Sequence, residues 1–257
     1  MKTILLTNDD GYEAPGLWAL YEELLPLGRV IIVAPDRERS AASHAITLTK
    51  PLRVKRPDAR NAPDETYSLN GSPADCVKVG ISKILSSLPD LVVSGINRGA
   101  NTGNNILYSG TVAGAAEGAL AGIPALAVSR ASFSLKYFEP AATIGSRIAR
   151  RILEYGLPEG VFLNVNVPPG ELKELKSIMV TRQGKRRYKD FYVERKDPRN
   201  QPYIWLRAEK IPLSEDDTSD DAALERGYIS VTPLQINRTD ERIIPLLEGW
   251  NLNGGDP

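Results

Sequence analysis

The chain has 257 residues, 42% hydrophobic and 25% charged, with 32 Lys+Arg against 32 Asp+Glu and a formal net charge of zero. That composition belongs to an ordinary globular protein, long enough for one large domain or one domain with an extension. The charge balance argues against a general nucleic-acid binder and a polybasic membrane binder, and leaves a small anionic substrate open.

One cysteine, Cys76, excludes an intrachain disulfide and a cysteine zinc site. One histidine, His44, excludes a multi-histidine metal centre and is the only imbidazole available to a Ser-His-Asp triad. TILLT at the N-terminus is too short for a signal-peptide core, and no apolar run reaches transmembrane length, so a cytoplasmic protein is expected.

Thr3–Thr7 is a continuous apolar run, as in a strand buried on both faces. Pro15 opens a helix whose Leu17, Leu20, Tyr21 and Leu24 share one face, and Gly28 stops it. Val30–Ala34 is a second strand. Ser72-Pro73-Ala74-Asp75 is a helix start with a capping box, which gives Asp75 a structural role and makes Cys76 a core residue. Leu91–Ser94 is a strand, Thr111–Ala121 an Ala- and Gly-rich helix closed by Gly122, and Ala125–Val128 a strand. Ile144, Ile148 and Ile152 mark a further helix ended by Gly156, followed by a strand at Val161–Val167.

Strands alternating with helices predict an α/β, Rossmann-like fold: a mostly parallel sheet with helices on both faces. Beyond Thr181 the chain becomes polar, charged and aromatic, which predicts a hairpin. SEDDTSDDAALERG is expected to be an acidic loop, and Gly227–Leu234 a returning strand. The tail NLNGGDP is expected to fray. The expected organisation is an α/β core over residues 1–184 and a C-terminal extension over residues 185–257, a hairpin with a strand at about 228–234 packed back on the core.

The loops after the strands carry the chemistry. Asn8-Asp9-Asp10-Gly11 follows the first strand, Pro35 to His44 the second, and Gly95 to Gly103 the LVVS strand. In a parallel sheet these loops converge on one edge, where ligands bind. Adjacent carboxylates at a buried strand end are costly unless a cation lies between them. With so little Cys and His, Asp9 and Asp10 point to a hard ion, Mg²⁺ or Mn²⁺, and Ser40 and Asn97 are placed to complete its shell. The other reading is that both aspartates cap the following turn.

Ser109-Gly110-Thr111 opens a helix whose free N–H groups suit a phosphate, or else is an ordinary N-cap. Asn8 is a further candidate for substrate contact. Ser43 and His44 are candidates for the pocket, with a solvated His44 as the alternative. Tyr108 is placed either to stack on a base or to pack in the core. Lys185, Arg186 and Arg187 attract anions or form a solvated face.

The stretches ILLTNDDGYEAPGL, VAPDRERSAASHAITL, NGSPADCVKVG, PDLVVSGINRGANTGNNILYSGTVAGAAEGALAGIPALAVS, FLNVNVP and GYISVTPL run in order through nearly the whole chain. Together they closely resemble the SurE family of stationary-phase survival proteins, 5′-nucleotidases. The resemblance implies a divalent-metal phosphatase acting on nucleoside monophosphates, with metal ligands at Asp9, Asp10, Ser40 and Asn97. It places phosphate contacts at Asn101, Ser109, Gly110 and Thr111, and implies a homodimer or homotetramer with C-terminal segments exchanged or extended between subunits. RSAAS stands where many members have glycine after the serine, Ser72 replaces a frequent threonine, and Asn104-Asn105 stands where an acidic residue is common, which bears on substrate preference.

The expected chemistry is metal-assisted attack of water on the phosphomonoester, with Asp9 or Asp10 also accepting a proton. An aspartyl-phosphate route competes with it. A nucleotide-binding module without turnover is the alternative function. A Rossmann dehydrogenase is disfavoured, because no G-x-G-x-x-G follows the first strand.

Overall fold

The computed structural model describes residues 1–58, 63–134, 137–185, 188–211, 218–250 and 252. Arg186, Arg187, the first part of the acidic segment and nearly all of the tail lie outside them. In chain order the elements are β1 (Thr3–Thr7), α1 (Pro15–Leu24), β2 (Arg29–Pro35), β3 (Val54–Lys55), β4 (Thr66–Leu69), α2 (Pro73–Val79) and β5 (Leu91–Arg98). There follow α3 (Gly110–Leu120), β6 (Ala125–Arg130), α4 (Glu139–Tyr155), β7 (Val161–Val167), β8 (Ile178–Val180), β9 (Tyr188–Lys196), β10 (Pro202–Lys210), α5 (Asp220–Glu225), β11 (Ile229–Gln235) and α6 (Ile244–Glu248).

Nine strands form one sheet in the order β3-β4-β2-β1-β5-β6-β7-β11-β8. The run β4-β2-β1-β5-β6-β7 is parallel. β3 pairs antiparallel with β4, and β11 returns antiparallel on β7, with Val231 opposite Val165. β9 and β10 form a separate antiparallel hairpin, Trp205 opposite Val193. Among the described residues no helix is long and apolar enough to cross a membrane.

Side-chain alternation on the buried strands explains the two helical layers. Ile4 and Leu6 of β1 pack with Leu17, Leu20 and Leu24 of α1 and Ile144 and Ile152 of α4. Leu5 points to the other face, against Cys76 and Val77 of α2 and Val112, Ala115 and Ala119 of α3. The small residues of α3 serve close approach. A Cβ on Gly114 would stand 2.7 Å from Ser94 Oγ, and one on Gly118 2.7 Å from Val92 Cβ. Each interior glycine costs about 1 kcal/mol of helix propensity. Burying Val92 beneath the helix and Val112 of the helix itself contributes about 1.5–3 kcal/mol each, so packing wins.

Two expectations need correction. β5 runs on through Gly95 to Arg98, so Asn97 lies at a strand end and not in a loop. The register against β6 shifts between Gly95 and Asn97, a bulge that no apolar pattern announces. The acidic segment also contains a helix: Ser219 caps α5 by accepting from Ala222 N at 3.2 Å, and Asp220 and Asp221 in its first turn are buried. Serine followed by two acids and Ala-Ala-Leu is a helix start, and its charge disguised it as a surface loop. The short strands β3, β4 and β8 and the helix α6 had no clear sequence signal.

Candidate functional site

The chain leaves β1 towards β2 and β4 in one direction, and later returns beside β1 to lay down β5, β6 and β7 in the other. The crevice beyond the carboxyl ends of β1 and β5 is therefore the switch point of the sheet, where open α/β folds bind ligands. Asp9 and Asp10 follow β1, Asn97 and Arg98 end β5, and the segment from Asp36 to His44 follows β2, the other neighbour of β1.

Asp9 is 4% exposed and rests on the start of α3. Its carboxylate accepts from Thr111 Oγ1, and a Cβ on Gly110 would stand 2.9 Å from Asp9 Cβ. Its main-chain oxygen accepts from Arg39 N at 2.7 Å, which ties down the Ser40 segment. Burial pushes the Asp9 carboxyl up to about 6; the Thr111 hydrogen bond opposes this and the Asp10 charge adds to it. Burial also raises Asp10, against the pull of Arg98, whose Nε donates to Asp10 Oδ1 at 3.0 Å.

Arg98 Nη2 also donates to Glu38 Oε2 at 3.2 Å, and Ser40 Oγ donates to Glu38 Oε1 at 2.6 Å. Asn97 Nδ2 donates to Gly99 O at 2.8 Å. The structure thus brings Asp9, Asp10, Ser40 and Asn97 to one edge, where Arg98 and Glu38 link Asp10 to Ser40. The pairing of Glu38 with Arg98 spans 60 residues and has no local signal in the sequence.

The other candidates surround this edge. Asn8 Nδ2 donates to Gly11 O at 2.8 Å, while its Oδ1 is buried without a hydrogen-bond partner. Ser109 Oγ caps α3 by accepting from Val112 N at 3.1 Å. Asn101 is fixed by its neighbours: Nδ2 donates to Ser129 Oγ at 2.8 Å, and its main-chain oxygen accepts from Asn164 and Asn166 Nδ2 at 2.8 and 3.0 Å. Ser43 ties to the segment before α3, donating through N to Tyr108 O and through Oγ to Leu107 O. Tyr108 is 64% exposed, which overturns core packing as its role.

His44 is half-buried rather than simply solvated. It lies 2.8 Å from Glu117 Oε2, and Lys78 donates to Glu117 Oε1 at 2.8 Å. Burial pushes the Glu117 carboxyl up, but these two partners outweigh it and hold it below the usual range. His44, Lys78, Ser109 and Glu117 line a groove of about 1050 Å³. Asp75 has its structural role, with the capping box present and Thr47 N and Oγ1 donating to it; Cys76 is buried in the core.

Sequence reasoning missed Asp220. Fully buried, it accepts from Gly103 N at 3.0 Å, Gly184 N at 2.9 Å and Asp221 N at 2.8 Å. Burial raises its carboxyl from 3.8 to about 6, against those hydrogen bonds. The native state therefore holds this proton more tightly than the unfolded chain does. The resulting stability is present in acid and is lost as pH rises from about 4 to about 6, by about 3 kcal/mol. Asp220→Asn cannot ionise, so its unfolding temperature should gain on the parent's between pH 4 and 7. A difference constant across that range in calorimetry would contradict this.

The donor chemistry suits a hard cation. Among the described residues no three His, Cys, Asp or Glu side chains gather for a metal. The set is instead two carboxylates with neutral oxygens of Ser40 and Asn97, and the unpartnered Asn8 oxygen stands in the same turn. A cation would relieve the cost of holding Asp9 and Asp10 together in a buried place.

The family described as Survival protein SurE matches residues 4–190. The 5′-nucleotidase SurE of Syntrophotalea carbinolica is 47% identical over 253 residues, 97% of each chain. The 5′-nucleotidase SurE of Symbiobacterium thermophilum is 48% identical over 254 residues, 98% of this chain and 99% of that one. The crystal structure of the SurE protein from Aquifex aeolicus superposes with a TM-score of 0.85 at 43% identity, covering 96% of this chain and 98% of that one.

Proposed function

This chain belongs to the survival protein SurE family, and on that premise we propose that it is a divalent-metal-dependent phosphatase hydrolysing nucleoside monophosphates to nucleoside and phosphate. The observation that carries the reading is the Asp9–Asp10 pair, held at the sheet's switch point against the N-terminus of α3. A bare carboxylate repels a phosphate charge at about 4 Å by about 4 kcal/mol at an effective dielectric of 20. Two carboxylates beside a phosphate-binding helix end make sense with a cation between them.

In this reading Asp9, Asp10, Ser40 and Asn97 hold one Mg²⁺ or Mn²⁺ per subunit. Such an ion supplies positive charge for the phosphoryl oxygens and a more acidic water. The first-turn N–H groups of α3, with Ser109, Gly110 and Thr111, receive the phosphate, and the dipole of the helix favours its charge. Asn101 and Asn8 complete the polar wall. Asp9 or Asp10 takes the proton of the attacking water. Arg98 pairs with Asp10 and orients that carboxylate. Ser43, His44 and Tyr108 border the nucleoside side.

We also propose that residues 1–184 form the catalytic core and residues 185–257 an extension that joins subunits into a homodimer or homotetramer. The exposed Tyr192, Trp205 and Leu206 on the β9–β10 hairpin and Leu246 and Trp250 near α6 support this. Zero net charge fits a small substrate in place of nucleic acid or a membrane surface, and a lone cysteine fits the cytoplasm.

The test is phosphate release from 5′- and 3′-nucleoside monophosphates with Mg²⁺, with Mn²⁺ and with EDTA. Release is expected with either metal and should fall at least about 100-fold in EDTA, a loss of roughly 3 kcal/mol. Nucleotide that binds and stays intact with metal present would favour the binding module without turnover.

A further inference from the structure

We propose that Asp220 is a positioning residue for the reaction: together with Asp221 it holds the Asn101–Gly103 segment in the shape that presents Asn101 to the phosphate. The proposal rests on the phosphatase reading above.

Asn101, Thr102 and Gly103 lie beyond the end of β5 and are all buried. One side of the segment is fixed from β6 and β7. Asn166 Oδ1 accepts from Asn101 N at 2.8 Å, Asn164 and Asn166 donate to Asn101 O, and Ser129 holds the Asn101 amide. The other side is fixed from the far end of the chain. Gly103 N donates to Asp220 across 117 residues, and Thr102 Oγ1 donates to Asp221 Oδ1 at 2.9 Å. Gln183 Nε2 donates to Gly103 O at 3.0 Å, and Gly184 N shares the Asp220 carboxylate. The clasp therefore joins the substrate segment to the point where the chain departs for β9.

Stability is a weak reason for such an arrangement. Adjacent buried carboxylates carry a desolvation cost, and apolar residues of like volume usually hold a fold at least as well. What two acids add here is direction. Three backbone N–H groups and one hydroxyl are held at 2.8–3.0 Å, two of them in the substrate segment. Gly103 in that segment and Gly99 just before it are both at positive φ, so the segment has little stiffness of its own. A displacement of about 1 Å at a binding group is enough to cost 10²-fold.

The experiment compares the full-length parent with Asp220→Asn, Thr102→Val and Thr102→Ser. It reads the Kd for Mn²⁺, the Kd for inorganic phosphate on the Mn²⁺-loaded protein, KM and kcat, and the unfolding temperature. Asp220→Asn and Thr102→Val are expected to raise the phosphate Kd and KM together by about 10- to 100-fold, with the Mn²⁺ Kd unchanged. Thr102→Ser keeps the hydroxyl and should restore phosphate binding. An unchanged phosphate Kd in the folded variants would overturn the proposal. So would loss of Mn²⁺ and phosphate affinity in step with unfolding temperature, the mark of a merely structural role. If Asp220→Asn fails to fold, the Thr102 pair decides by the same readings. A parent that binds no phosphate and releases none sinks the phosphatase reading and this proposal together; an active parent matched by its variants sinks this proposal alone.

Discussion

Asp9→Asn is expected to lower kcat/KM for a 5′-nucleoside monophosphate by on the order of 10³-fold while leaving the metal-free protein at least as stable as the parent. A catalytic cation contributes several kcal/mol, and each 1.36 kcal/mol is tenfold in rate. Asparagine keeps an oxygen for the Thr111 hydroxyl, so the packing against α3 survives. Stability should move the other way because the folded Asp9 carboxyl titrates at about 6, above its ordinary 3.8. Above that pH the parent holds a buried ionised group at a cost of about 3 kcal/mol, and the variant does not. Calorimetry near pH 7.5 in EDTA, beside steady-state kinetics with Mn²⁺, checks both halves. A variant that loses activity and unfolds well below the parent would mean that Asp9 serves the fold.

Gly95→Ala is expected to cost about 3 kcal/mol or more, lowering the unfolding temperature by roughly 6–12 °C. Gly95 sits within β5 with φ +150°, and a Cβ there would stand 2.4 Å from Val128 O of the neighbouring strand. Neither atom is the end of a flexible side chain, so the strands themselves must part. The bulge at this glycine aims Asn97 and Arg98 at the crevice, so Mn²⁺ affinity should fall in the same variant. Unfolding within about 1 °C of the parent would show that β5 tolerates a side chain there.

The parts of the molecule that could be read in advance are those whose cause is local. Ile4, Leu5 and Leu6 announce a strand buried on both faces, and the structure packs them into two separate layers. Ser72-Pro73-Ala74-Asp75 states its own helix cap, and Ser109 does the same for α3. The aromatic and charged stretch after Thr181 does form a hairpin. Because parallel strands all end on one edge, the order of the loops was enough to collect Asp9, Asp10, Ser40 and Asn97 there.

Other features were hidden because their partners are distant. Thr111 meets Asp9 across 102 residues, Arg98 meets Asp10 across 88, and Asp220 meets Gly103 across 117. Nothing local distinguishes Asp220 from a solvated acid; what encloses it is the approach of the distant Gly103 and Gly184 backbones. Gly95 follows the apolar run like the first residue of a loop, yet it lies inside a strand whose bulge depends on its contact with β6.

Anomalous diffraction at the manganese edge, from crystals of the parent grown with Mn²⁺, locates the metal itself. One strong peak per chain is expected at the switch point, within about 2.0–2.4 Å of oxygens from Asp9 and Asp10, with Ser40 and Asn97 completing the shell directly or through water. No peak there, with manganese bound only elsewhere, would contradict the assignment of this crevice as the catalytic metal site.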